Sequence, residues 1–159
     1  MKRNTKIIFS IIVVVLIIVA AVPFYFLKNK NSATNVNNDL REIYLDAAKL
    51  KVEIADDPVS RSKGLSGRTK LAQNQGMLFI MDSTGIQSFW MKNTFIPLDM
   101  IWISGNSVVG ITSNVQPEIG VSDDKLKVYT SPDYVDKVIE VNAGWSLRNK
   151  ITIGSHLEW

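Results

Sequence analysis

Asp99-Met100-Ile101-Trp102-Ile103-Ser104-Gly105-Asn106-Ser107-Val108-Val109-Gly110-Ile111 is the stretch whose reading decides the fold. Two apolar runs rich in β-branched and aromatic residues flank Gly105-Asn106, a pair suited to the positive φ of a two-residue hairpin turn. Two antiparallel strands are therefore expected here. Similar runs recur on both sides: Leu50 to Ala55 alternates Leu50, Val52 and Ile54 with Lys51 and Glu53, and Gly76 to Met81 is continuously apolar. Val128 to Ser131 is expected to pair briefly at an edge, Asp136 to Val141 to form a strand carrying Glu140, and Ile151 to Trp159 to close the sheet. Helices are scarce. Asp57 with Pro58 behind it reads as an N-cap followed by N1, and Gly64 and Gly67 end that helix early. Trp145 to Lys150 allows another turn, whereas Leu40 to Ala48 reads equally as helix or extended lead-in. The expectation is a β-rich α+β domain over residues 50–159, a compact curved sheet or partly closed β-barrel that blunts its own edges.

Just before the hairpin, Ser88-Phe89-Trp90-Met91-Lys92-Asn93-Thr94-Phe95-Ile96-Pro97-Leu98-Asp99-Met100 mixes aromatics, methionines and polar groups. A strand to Thr94 would put Phe89, Met91 and Asn93 on one face and Trp90, Lys92 and Thr94 on the other. Pro97 then turns the chain. Polar groups so close to bulky apolar ones sit at a rim or are paired inside, which makes this segment the leading site candidate. The loop from Gln116 to Lys127, with Pro117, Gly120 and Asp123-Asp124, is long enough to suggest a flap.

The N-terminus has another character. Ile7 to Leu27 is 21 residues without a charge, about 32 Å as a helix and enough to cross a bilayer. Lys2, Arg3 and Lys6 precede it and Lys28 and Lys30 follow, so residues 1–30 read as a retained signal-anchor with its N-terminus cytoplasmic. Residues 31–49 are a polar linker and lead-in, and the C-terminal domain is expected outside the cytoplasm. The net charge of +3 belongs to these flanks: from Asn31 onward 13 basic residues face 15 acidic ones. That balance argues against nucleic acid as a partner. The chain has no cysteine, which excludes disulfides and thiolate chemistry, and its one histidine, His156, cannot build a histidine-based metal site or triad alone.

The strings Ala55-Asp56-Asp57-Pro58 with Arg61, Gly64-Leu65 and Arg68, then Gln75-Gly76-Met77-Leu78-Phe79, then Phe89 to Thr94 with Pro97-Leu98-Asp99-Met100, resemble the domain of unknown function 192 family. Val138 to Gly144 is similar to its C-terminal segment, and the likeness spans about Leu50 to Trp159. It implies a small β-rich domain, often secreted or membrane-attached, with no established activity or cofactor. Ser155 stands where many members carry an acidic residue.

Three chemistries compete for these residues. Asp99 and Glu140, each within an apolar strand, could be the paired carboxylates of a hydrolase acting on envelope polymers. Met77, Met81, Met91 and Met100 with Trp90, Trp102 and His156 could offer soft ligands to Cu(I), although methionine and tryptophan ordinarily just pack. The third reading asks for the fewest unseen parts: a non-catalytic ligand-binding or accessory module without cofactor. Its polar side would be Arg61, Arg68, Lys92, Asn93, Asp99 and Glu140, its apolar side Trp90 and Met91, and its ligand a glycan or peptide of the cell envelope.

Overall fold

A computed structural model describes residues 40–159; the anchor expected at 7–27 lies outside the described residues. Among them, no helix is long and apolar enough to cross a membrane. Nine strands are present in the described chain: β1 Arg41–Leu45, β2 Ala48–Ala55, β3 Gln75–Gly85, β4 Ser88–Phe89, β5 Leu98–Ser104, β6 Ser107–Val115, β7 Tyr129–Thr130, β8 Val135–Asn142 and β9 Leu157–Glu158. Two short helices, α1 Pro58–Lys63 and α2 Trp145–Arg148, interrupt them. The ambiguous lead-in is resolved as β1, which doubles back on β2 in antiparallel register.

Seven strands form one sheet in the order β6-β5-β8-β3-β2-β1-β9, with β4 and β7 paired apart from it. The sheet curls until its ends meet. Val108 N–H donates to Ser155, Gly154 N–H to Val108 and Leu157 N–H to Asn106, at 2.8–2.9 Å. These bonds satisfy backbone groups that open edges would leave bare. The β5–β6 hairpin turns at Gly105, whose φ of 58° only glycine adopts freely.

Both faces of the sheet are covered, which explains why β5 is buried from Leu98 through Ile103. The inner face holds Leu50, Val52, Leu78, Ile101, Ile139 and Val141, with Trp145 packed among them. The outer face holds Met77, Phe79, Met100, Trp102 and Val138 beneath Leu65, Met91 and Ile96. Fully burying each such side chain contributes about 1.5–3 kcal/mol. Phe89 packs edge-on against both Phe79 and Trp102, with ring centroids 5.0 and 5.7 Å apart. That contact anchors the segment leading into residues 90–97.

One local expectation is corrected. The strand expected from Phe89 to Thr94 does not form: β4 ends at Phe89 after two pairs, Ser88 with Thr130 and Phe89 with Tyr129, and the chain folds over as a turn. Thr94 N–H donates to the Met91 carbonyl, and Asn93 takes the left-handed φ of 52°. Asparagine tolerates that conformation better than most residues. The turn buries Met91 and Thr94 and leaves Trp90 and Asn93 exposed, which is not the division a strand would give.

Candidate functional site

The capped helix α1 sets one wall of the site. Asp57 accepts hydrogen bonds from the N–H groups of Val59 and Ser60, and Pro58 occupies the first turn. The helix places Arg61 against β3. Its guanidinium donates to the carbonyls of Asp56 at 2.7 Å and Ile80 at 2.9 Å, and pairs with Asp82. Gly64 follows with a φ of 48° and comes so close to Phe79 that an added Cβ would sit 3.3 Å from its ring. Gly67 N–H then donates to the Asn93 carbonyl, tying the loop after α1 to the turn opposite.

Between these two segments lies a cavity of about 440 Å³. Arg61 and Lys63 come from α1, Ser66 from the following loop, Phe79 and Met81 from β3, Phe89 from β4, and Trp90, Lys92 and Asn93 from the turn. Glu140 on β8 reaches it from the sheet below. Five of the eight residues singled out from sequence (Arg61, Trp90, Lys92, Asn93 and Glu140) therefore converge on one cavity. Lys92 pairs with Asp123 and lies 5.9 Å from the centroid of the Trp90 ring. Its partner belongs to the loop expected as a flap, which carries a 3-10 turn at Asp123–Lys125 and encloses a second, smaller cavity of about 50 Å³ against residues 92–95.

The other three candidates lie elsewhere. Met91 is core, 1% exposed. Arg68 makes a bidentate pair with Glu53, each of its two terminal nitrogens on a separate carboxylate oxygen. Asp99 points to the inner face, where it accepts from the backbone N–H groups of Asn114, Gly144 and Ser146 at 2.9–3.0 Å. It organises the start of α2 and does not line the 440 Å³ cavity.

Register fixes the relation between the two carboxylates. Asp99 faces Val141 and Met100 faces Glu140, so Asp99 and Glu140 project from opposite faces of the sheet. The acid/base pair required by the hydrolase reading is not assembled. On the outer face, Glu53, Met77, Glu140, Met100 and Thr112 form a row across β2, β3, β8, β5 and β6. Glu53 is the residue that sequence reasoning passed over. Both of its oxygens are held by Arg68 and it does not line the cavity, so it is no second catalytic carboxylate.

Glu140 differs from every other acid in the described chain. It is 4% exposed, and its carboxyl makes no hydrogen bond or ion pair with the described residues. Burial alone pushes its pKa up to about 8. The four methionines of the copper reading share the outer apolar cluster with Trp102, while Trp90 lies at the cavity. His156 sits apart at the seam, where it bridges Ser107 and its N–H donates to Asp46.

The family model described as "Uncharacterized ACR", DUF192, matches residues 41–159, and the chain belongs to that family. No curated protein matches the chain. A solved structure from Sinorhizobium meliloti 1021, described as "a putative transcription regulator", is similar at 35% identity and a TM-score of 0.67, covering 74% of this chain and 91% of its own. A protein of unknown function from Novosphingobium aromaticivorans DSM 12444 is similar at 27% identity and a TM-score of 0.69, covering 76% of this chain and 85% of its own.

Proposed function

We propose that the domain is a non-catalytic ligand-binding or accessory module of the cell envelope, whose cavity above Glu140 takes a glycan or a peptide. The observation that carries this reading is the convergence of α1, its following loop, β4, the 90–94 turn and β8 on one cavity of about 440 Å³. That volume is in the range of small-molecule sites. Glu140 supports it further, because a buried and unpartnered carboxyl is a common mark of a functional site. Arrays of glycans and peptides probed with the wild-type chain and with Lys92→Ala test it. Retention of a subset of ligands, weakened by the substitution, is the expected outcome; equal retention of every ligand by both proteins counts against the site.

The envelope location rests on the uncharged run Ile7 to Leu27 and its basic flanks. The absence of cysteine supplies a clean test. Ser122→Cys adds the sole thiol, and a membrane-impermeant maleimide should label it on intact cells. Labelling only after lysis would remove the extracytoplasmic assignment. The transcription regulator named among the similar structures does not move this reading towards DNA. The described helices have six and four residues, too short to fill a major groove, and the chain beyond Asn31 is slightly acidic.

A further inference from the structure

We infer that the cavity takes an acidic saccharide, with a sugar ring lying against Trp90 and Phe89, an acceptor oxygen over the Glu140 carboxyl, and a carboxylate or phosphate group at the rim formed by Lys63 and Lys92. This names the ligand class of the binding module proposed above and rests on that reading.

A carboxyl that only packs is saturated with donors, as Asp99 is with three N–H groups. Glu140 is as deeply buried, opens on the cavity and has no partner, so its hydrogen-bonding capacity is left for a ligand. With its pKa at about 8 it is mostly protonated at neutral pH and presents one O–H donor. The matching ligand atom is therefore an acceptor.

The surrounding charge sets the rest. From α1 come Arg61 and Lys63, and from the turn comes Lys92. From β2 comes Glu53, closed on Arg68; β3 and β5 contribute methionines to the same row. Arg61 is committed to two carbonyls and Asp82, Lys92 shares an exposed Asp123, and Lys63 has no ion pair among the described residues. Every charged side chain on the cavity wall is thus cationic while Glu140 keeps its proton. An ammonium ligand at this rim would be opposed by the lysines and an anion favoured.

A saccharide suits the remaining surfaces better than a peptide. Around Glu140, β8 is hydrogen-bonded on both sides and so is β3 as far as Phe79, so no peptide can add a further strand there. Recognition there falls to side chains. Trp90, 52% exposed, offers a flat ring for stacking, and Gln87, Ser88, Asn93 and Ser66 offer amide and hydroxyl groups to ring hydroxyls.

The test uses the purified full chain on an array carrying uronic-acid oligosaccharides, phosphorylated oligosaccharides, their neutral counterparts and peptides, read at pH 6, 8 and 9. At pH 6 the acidic members should be retained at least tenfold more tightly than the neutral ones, and the two acidic arms show which anion is preferred. Retention should fall about tenfold towards pH 9 as Glu140 ionises. Glu140→Gln stays neutral across this range, so whatever its affinity at pH 6, the fall towards pH 9 should be lost. Neutral saccharides or peptides held as tightly as the acidic ones overturn the ligand class and leave a binding module standing. A decline with pH that persists in Glu140→Gln overturns the role given to Glu140. Retention of nothing at all overturns the binding reading itself.

Discussion

Asp99 and Glu140 sit in adjacent strands, are equally buried, and have opposite environments. On the inner face Asp99 gathers three backbone N–H groups from β6 and α2 and welds two segments to the sheet. On the outer face Glu140 has methionines as neighbours in its row and a cavity above. The inner face is finished; the outer one carries an unspent polar group. A saturated buried carboxylate holds a fold together, whereas an unsaturated one costs stability that only binding can recover.

The largest expected effect comes from breaking the finished side. Asp99→Ala strands one buried N–H donor, that of Ser146, and two partly buried ones, those of Asn114 and Gly144, so urea denaturation should show a loss of about 3–5 kcal/mol or no folded protein. A loss under about 1 kcal/mol would mean that the two faces do not differ as described. Glu140 gives the opposite sign. The folded chain keeps its proton up to about pH 8, while the unfolded chain releases it near 4.5. Folded stability is therefore full below pH 4.5 and declines as the pH rises to about 8, by roughly 5 kcal/mol at most. Glu140→Gln should abolish this decline and stabilise the chain by about 3 kcal/mol at pH 8, water in the cavity easing the full penalty. Parallel denaturation curves for both proteins from pH 5 to 9 would contradict it. Lys92→Ala is the small effect that sharpens the contrast. Its pair with Asp123 is solvent-exposed, so thermal denaturation should register less than about 1 kcal/mol even where ligand retention falls.

The fold was legible wherever local chemistry and burial agreed. The Gly105-Asn106 hairpin, the Asp57 cap with Pro58 behind it and the strand carrying Glu140 each follow from a few neighbouring residues. The 90–94 turn was not, because its alternating aromatic and polar residues imitate a strand while Asn93 bends the backbone through a conformation that residue type only hints at. Asp99 and Glu140 looked alike for a related reason. Each interrupts an apolar run that is buried on both sides, so alternation cannot say which face is which; the β5–β8 register does. What sets Glu53 and Lys63 apart is tertiary placement, the first in a row across five strands and the second at the rim of a cavity closed by distant segments.

The seam between residues 106–108 and 154–157 has a consequence for biosynthesis. The curled sheet cannot tie its two ends together until Gly154 to Leu157 have been made and threaded back to the hairpin and to β1, a return of about fifty residues in one case and more than a hundred in the other. A nascent chain paused before Gly154 exposes the rims of β1 and β6 at once. Copies in which Gly154 to Leu157 have not yet docked are then at their stickiest, and that interval is where a holdase would matter most.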